Sequence, residues 1–236
     1  TDHQHGCVLA AAVDMTTTAE VRLNGTNGIR VDSEGYKPVE IGLNDLSVKE
    51  SEKNTTAALI RGVAAAFAQR GYKLAGLDAK VKSTVLPGSG LSSSAAFEVL
   101  IGRILNGLFA DNAVSAIEIA QIGQYAENVY YGKPSGLMDQ MASSVGVLVF
   151  IDFHDPKTPI VEKVDYDFAH SGYTLCTIDS GADHADLTDE YAAMPIEMKK
   201  VAAFFGKEVL REVDEQEFYA KIAEIRKETG DRAVLR

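Results

Sequence analysis

The chain has 236 residues, 46% of them hydrophobic and 24% charged, and its formal net charge is -11. This ordinary globular composition excludes a disordered tail, a collagen-like repeat and a coiled coil, and the length suits one large domain or two small ones. The acid excess argues against a nucleic-acid-binding protein, because no basic surface would offset phosphate charge.

Few features of the sequence indicate the cellular compartment of the protein. The two cysteines, Cys7 and Cys176, are too few for a disulfide framework, so the sequence predicts a reducing, cytoplasmic location. No apolar run approaches the roughly 20 residues of a membrane span. The opening TDHQHG lacks the features of a signal peptide and also lacks Met, which processing or a missing N-terminal part would explain.

The predicted elements begin with strands over residues 7–32, with turns at Asn24-Gly25 and Asn27-Gly28. A helix is predicted over residues 53–70, where apolar residues recur at four-residue spacing. The remaining predictions, in chain order, are a strand over 77–87, a long helix through about Phe109, a helix over about 114–130, strands over 146–153 and 173–179, and helices over 188–205 and 214–228. Because strands and helices do not alternate strictly, the pattern predicts the α+β class.

The strongest local signal is a Gly/Ser loop, Leu86-Pro-Gly-Ser-Gly-Leu-Ser-Ser-Ser-Ala-Ala96. Its glycines allow a sharp turn or a close approach to a ligand, and three serines then open a buried apolar helix. The hydroxyls could cap that helix, donate to phosphate oxygens, or hold a Mg²⁺ that phosphate brings. Neither the GxxxxGK[ST] nor the GxGxxG phosphate loop fits the stretch.

A second stretch, Gly136-Leu-Met-Asp-Gln140, opens another helix. Leu137, Met141 and Val145 form an apolar stripe with Met138 beside it, and helical geometry turns Asp139 away from the stripe. By the residues alone, Asp139 could be catalytic or could merely complement the positive end of the helix.

With these motifs the sequence resembles the GHMP family of small-molecule kinases. Pro87 through Ala95 resembles the family's Pro-x-x-x-Gly-Leu-Ser-Ser-Ser-Ala loop, with two residues instead of three between Pro87 and Gly90. Residues 136–140 resemble the Gly-Ile-Met-Asp-Gln segment of its galactokinases, and residues 1–9 resemble the end of the galactokinase signature. The resemblance implies the α+β GHMP fold, with an N-terminal domain over 1–175 and the incomplete start of a second lobe over 176–236.

The resemblance also implies a role for each matching position. Asp139 would be the catalytic base, and Ser94 and Glu127 would hold Mg²⁺, since Glu127 stands at the family spacing before Asp139. The implied ATP-binding residues are Ser33, Gly88, Ser89, Gly90, Leu91, Ser92, Ser93 and Ser94. The implied sugar-binding residues are Thr1, Asp2, Gly136 and Tyr191. By the residue alone, Glu127 is interpreted as a solvated helix carboxylate, the usual case, whereas Tyr191 could equally be a sugar contact or an amphipathic surface tyrosine.

The sequence departs from the family pattern at both ends. The family's Gly-Glu-His and the phosphate-stabilising arginine upstream of Thr1 are not in the chain, nor is the third Gly-rich motif beyond Arg236, so we expect a fragment that is inactive by itself. His3, Gln4 and His5 replace the residues that are usual at these positions in the family. This departure bears on the identity of the sugar more than on the phosphoryl transfer. Asp183, His184 and Asp186 are interpreted as a loop near the sugar rather than as a metal cluster. The histidines His154, His170 and His184 are interpreted as surface residues.

The function implied is ATP-dependent phosphorylation of galactose at its 1-hydroxyl, with Mg²⁺, a small-molecule sugar and ATP as partners and without nucleic acid or membrane. Two alternatives remain at this point. One is a kinase for another sugar, such as arabinose, glucuronate or N-acetylgalactosamine. The other is a non-catalytic galactose and ATP sensor, which the uninterrupted Gly/Ser loop disfavours.

Overall fold

The computed structural model describes residues 2–86, 88–174, 176, 178 and 188–236. The chain divides into two compact units. The central unit is Ala11–Val147, and the flanking unit joins Thr1–Ala10 to Leu148–Arg236. The boundary predicted at residue 175 lies inside the flanking unit, and the predicted domains stay a prediction.

Strands and helices are mixed along the chain, which confirms the predicted α+β class. The strands are β1 (Cys7–Ala11), β2 (Thr17–Leu23), β3 (Gly28–Ser33), β4 (Val39–Gly42), β5 (Leu77–Ser83), β6 (Leu148–Asp152) and β7 (Ile160–Lys163). The helices are α1 (Thr56–Gln69), α2 (Ser93–Phe109), α3 (Ala116–Tyr125), α4 (Met138–Val145), α5 (Thr188–Phe204), α6 (Glu215–Ala220), α7 (Ile222–Thr229) and α8 (Asp231–Leu235).

Three predicted elements differ from the structure. The single helix predicted over 214–228 is divided at Lys221 into α6 and α7. The helix predicted over 114–130 ends as an α-helix at Tyr125, and the chain continues as a π-helical turn, Ala126–Tyr131. Of the strand predicted over 173–179, only Tyr173, Thr174, Cys176 and Ile178 are described, and none of these four residues lies in a strand. The other three residues lie outside the described part.

The central unit is built on a four-stranded sheet in the order β2-β5-β3-β4. Strand β5 pairs antiparallel with β2 and parallel with β3, and β3 pairs antiparallel with β4. One face of this sheet packs against α1, α2 and α3 through a common hydrophobic core. Because every second strand residue faces the helices, Ile29, Val31, Leu77, Ala79 and Val81 are all buried.

Helix α1 lies unusually close to the π-helical turn. Its Gly62 leaves no room for a side chain, because a Cβ there would lie 2.7 Å from the Cβ of Ala126 and 2.8 Å from its Cα. The same helix carries the buried Arg61, which donates two hydrogen bonds of 2.7 Å to the carboxylate of Glu52. These contacts fix the position of the turn and of the segment that precedes α1.

The flanking unit has a three-stranded sheet in the order β1-β6-β7 and a cluster of helices around the buried Val201, Ile225 and Ala233. Arg211 ties the sheet to these helices through a double hydrogen bond to Asp152. Within the described residues, no helix is both long enough and apolar enough to cross a membrane.

Candidate functional site

The Gly/Ser loop leaves β5 and turns sharply into α2. Gly88 and Gly90 have φ angles of +74° and +76°, the left-handed region that glycine adopts without a steric cost. Between them, the Ser89 hydroxyl donates to the carbonyl of Leu86 at 2.6 Å. Ser92 also lies in the left-handed region, at φ 57° and ψ 58°, immediately before the helix begins.

The serine hydroxyls at the start of α2 face two carboxylates. Ser92 stands at the cap position but its side chain makes no cap hydrogen bond, so the capping interpretation is wrong for this residue. Its hydroxyl donates instead to Oδ2 of Asp139. Two residues further along, the hydroxyl of Ser94 donates to Oε1 of Glu127 at 3.0 Å. Two residues of the loop therefore contact two carboxylates contributed by other elements.

Glu127 lies on the π-helical turn, and its side chain is only 3% exposed. The alternative that it is a solvated helix carboxylate is therefore wrong. Besides Ser94, its partners are Lys133, whose Nζ lies 3.2 Å from Oε1, and Gln140, whose Nε2 lies 3.0 Å from Oε2. A π-helical turn widens the helix locally and often marks a functional site.

Asp139 lies in the first turn of α4 and is half-buried. Leu137 and Met141 are buried at 2% and 0% exposure, as the stripe predicts, but Met138 is exposed. Asp139 thus points away from the core and toward the opening of α2, where the Ser92 hydroxyl meets it.

A buried polar layer lies beneath these contacts, and the sequence did not predict it. Glu98 and Gln140 are 0% and 1% exposed, and Nε2 of Gln140 donates to Oε2 of Glu98 at 3.1 Å. Burial raises the pKa of Glu98 well above its ordinary value, and the nearby charge of Glu127 raises that pKa further. Gly123 makes room for the pair, because a Cβ there would lie 3.2 Å from both side chains.

The other predicted site residues lie elsewhere. Ser33 ends β3 and is half-buried, and Gly136 lies in the segment before α4. Asp2 and Tyr191 belong to the flanking unit, in a 3-10 helical turn and in α5 respectively. Thr1 lies outside the described residues, as do Asp183, His184 and Asp186. His154 and His170 are exposed, as predicted.

Chemically, the four contacting side chains offer hydroxyl and carboxylate oxygens at the amino end of a helix, where the macrodipole favours anions. Across the described part of the chain, no three His, Cys, Asp or Glu side chains are grouped to hold a metal ion. A metal at Ser94 and Glu127 would therefore need further ligands from a phosphate group or from water.

Residues 58–147 match the family described as GHMP kinases N terminal domain. Two curated galactokinases match over the whole chain: that of Streptomyces coelicolor is 33% identical over 241 residues and that of Streptomyces lividans 33% over 243. The chain spans 61% and 59% of the lengths of these two relatives.

Solved structures show the same fold. A crystal structure of Lactococcus lactis galactokinase complexed with galactose matches 99% of this chain and 61% of its own, with a TM-score of 0.77 and 23% identity. The mevalonate kinase of Methanococcus jannaschii matches 95% of this chain and 73% of its own, with a TM-score of 0.60 and 17% identity. The predicted GHMP kinase fold is confirmed.

Proposed function

We propose that the complete protein transfers the terminal phosphoryl group of ATP to the 1-hydroxyl of galactose, since residues 58–147 match the GHMP kinases N terminal domain and the whole chain is similar to curated galactokinases. The single observation that carries the proposal is the meeting of the α2 serines with two carboxylates, Ser92 with Asp139 and Ser94 with Glu127. The similarity to curated galactokinases supports galactose as the acceptor.

The residues fit a magnesium ion. Adjacent ligand oxygens of an octahedral Mg²⁺ lie about 2.9 Å apart when each is about 2.0–2.1 Å from the metal. Ser94 Oγ and Glu127 Oε1 are 3.0 Å apart, and both are hard oxygen ligands of the kind that Mg²⁺ prefers. When bound there, Mg²⁺ would neutralise charge on the transferring phosphoryl group.

The Gly/Ser loop would hold the nucleotide phosphates. Gly88 to Ser94 would wrap them, because the loop combines bare backbone with the positive end of the α2 dipole. Ser33 would contact the nucleotide from the end of β3. This arrangement supplies positioning and charge stabilisation, which are what phosphoryl transfer mainly requires of a protein.

Asp139 would act as the base. In the transfer, the galactose 1-oxygen forms a bond to the γ-phosphorus, the bond from that phosphorus to the bridging oxygen of ADP breaks, and the hydroxyl proton passes to the Asp139 carboxylate. The Ser92 hydroxyl holds Oδ2, which leaves Oδ1 available to the acceptor hydroxyl. Thr1, Asp2, Gly136 and Tyr191 remain the proposed sugar contacts.

The proposal is tested in the complete protein by measuring ADP and sugar phosphate formed from Mg²⁺-ATP with a panel of sugars. We expect galactose to be the best acceptor and Asp139→Asn to lower kcat by about 10²–10⁴-fold while ATP binding persists. Turnover of another sugar in preference to galactose would favour a different sugar kinase. Binding of galactose and ATP without any turnover would favour a sensor, and normal turnover by Asp139→Asn would remove the base assignment.

A further inference from the structure

A buried carboxamide links the proposed metal ligand to the interior of the central unit. Nε2 of Gln140 lies 3.0 Å from Oε2 of Glu127 and 3.1 Å from Oε2 of Glu98. All three side chains are almost fully buried, since Gln140 is 1%, Glu98 0% and the Glu127 side chain 3% exposed. An amide nitrogen has two N–H groups, so this one nitrogen satisfies one oxygen of each carboxyl group.

The two carboxylate oxygens of Glu127 have different partners. Oε2 accepts from Gln140 in the interior, whereas Oε1 faces Ser94 and Lys133. A carboxylate held by one oxygen cannot rotate freely about its terminal torsion, so the other oxygen keeps a fixed direction. Oε1 is the oxygen whose distance to Ser94 fits adjacent positions around Mg²⁺.

Glu98 holds the other end of the link. It projects from α2, the same helix that carries Ser94, so the chain Ser94, Glu127, Gln140 and Glu98 closes a loop of contacts around one helix end. Gly123 on α3 lies beside both Glu98 and Gln140, and a Cβ there would lie 3.2 Å from each side chain, so the bare glycine lets the linked pair pack against this helix.

This arrangement costs stability. Oε1 of Glu98 and Oε1 of Gln140 are buried without a hydrogen-bond partner among the residues described. A purely structural core would favour apolar side chains at such positions, because unsatisfied buried polar atoms are unfavourable. The polar link therefore needs another explanation than packing.

We propose that Gln140 is a positioning residue that orients Glu127 for metal binding, with Glu98 as the anchor that fixes Gln140. The inference rests on the proposed function, since it gives the linked carboxylate the metal-binding role proposed above. Gln140 itself would touch neither the metal nor the substrate. It would act through Glu127, as hydrogen-bond partners of metal ligands commonly do.

The test measures binding of a non-hydrolysable ATP analogue to the complete protein by calorimetry, once with Mg²⁺ and once with a chelator. The ratio of the two dissociation constants reports how strongly the metal assists nucleotide binding. For Gln140→Leu we expect this ratio to fall by roughly 10–100-fold, with unchanged affinity in the chelator and unchanged galactose affinity. A loss of packing alone would weaken binding under both conditions.

Gln124→Leu is the matched control. Gln124 lies on α3, is half-buried, and donates to the backbone carbonyl of Ser135 at 3.2 Å rather than to a carboxylate. For this variant we expect Mg²⁺ to strengthen nucleotide binding by the same factor as in the wild type. If Gln140→Leu does not fold, the same measurement is made on Gln140→Asn. The shorter side chain keeps the amide, but its nitrogen cannot reach both carboxyl groups, so we expect the same loss of metal assistance.

The outcomes separate the two proposals. If the wild type binds the analogue equally with and without Mg²⁺, the proposed metal site and this inference both fail. If the wild type shows metal assistance and the folded Gln140 variant retains it in full, this inference alone is overturned. A selective loss in the Gln140 variant, with the Gln124 control unaffected, supports it.

Discussion

At the scale of single residues, Ser92 has the most unusual environment in the site. A non-glycine residue in the left-handed region pays about 1–2 kcal/mol, and Ser92 does so immediately before α2 without capping the helix. Its hydroxyl is instead committed to Asp139. Backbone strain of this kind persists where the surrounding structure enforces it, often at functional sites.

Substitution of Ser92 separates its backbone role from its hydroxyl. We expect Ser92→Ala and Ser92→Gly each to lower kcat by roughly 10–100-fold, since a hydrogen bond to a charged group contributes about 1.5–3 kcal/mol. Gly tolerates the left-handed backbone, so the Gly variant should be more stable than the Ala variant by up to about 1 kcal/mol. Steady-state kinetics and urea unfolding give both values. Unchanged kcat in the two variants would contradict the link from Ser92 to Asp139.

The sequence could predict Ser94, Glu127 and Asp139 as candidates, because they stand at matching positions of the kinase family that the sequence resembles. It could not predict Glu98 and Gln140 as partners of Glu127. Glu98 was visible only as a charge on an otherwise apolar helix, and Gln140 only as the neighbour of Asp139. Their contacts depend on how α2, α3 and α4 pack together, and no local pattern encodes that packing.

At the scale of elements, the close approach of α1 to the π-helical turn positions Glu127. Helix α1 was predictable from its four-residue apolar spacing, and its bounds agree with the prediction within a few residues. The π-helical turn was not predictable, because its wider backbone depends on contacts with α1 rather than on periodicity. The strand predicted over 173–179 also rested on a local pattern that is not sufficient, because a short apolar run does not specify a pairing partner.

A pair of glycine substitutions tests this approach. In Gly62→Ala the new Cβ would lie 2.7 Å from the Cβ of Ala126, so we expect a loss of about 1–3 kcal/mol in the free energy of unfolding. Gly107→Ala, on the exposed side of α2, meets only Asn112 at 3.7 Å and should gain about 0.5–1 kcal/mol.

Urea unfolding of the two glycine variants gives both energies. Because the Gly62 variant also displaces the turn that carries Glu127, it should weaken the assistance that Mg²⁺ gives to ATP binding. The Gly107 variant should leave that assistance unchanged. Equal stabilisation by both alanines would show that α1 does not constrain the turn.

At the scale of the whole molecule, the chain carries a net charge of -11, and one of its cations, Arg61, is buried in an ion pair. Arg61 has a side chain 3% exposed and pairs with Glu52, whose side chain is 20% exposed. The hydrogen bond from Arg61 holds the pKa of Glu52 below its ordinary value of 4.5. This pair joins the segment after β4 to α1 in the central unit.

The pair makes stability depend on pH. Because the folded pKa of Glu52 is lowered, its contribution is present above the unfolded value of 4.5 and is lost as pH falls through the folded pKa. We expect Glu52→Gln to lower the free energy of unfolding by about 1–3 kcal/mol near neutral pH, and by progressively less at about pH 3.

Glu50→Gln is the control for Glu52→Gln, because the Glu50 carboxylate pairs with Lys53 at the surface and is 80% exposed. It should change stability by less than about 1 kcal/mol at either pH. Urea unfolding at the two pH values supplies the comparison. A destabilisation by Glu52→Gln that grows toward acid pH would contradict the lowered pKa of Glu52.

We propose that the serines opening α2, together with Glu127 and Asp139, form a site for phosphoryl transfer from Mg²⁺-ATP. The most direct measurement is a crystal structure of the complete protein with Mg²⁺, a non-hydrolysable ATP analogue and galactose. We predict Mg²⁺ bound by Ser94 Oγ and Glu127 Oε1 at about 2.0–2.1 Å, the analogue's phosphates against Gly88 to Ser94, and the galactose 1-hydroxyl within hydrogen-bond distance of Asp139. Phosphates and metal bound away from the start of α2, or a sugar remote from Asp139, would contradict the account.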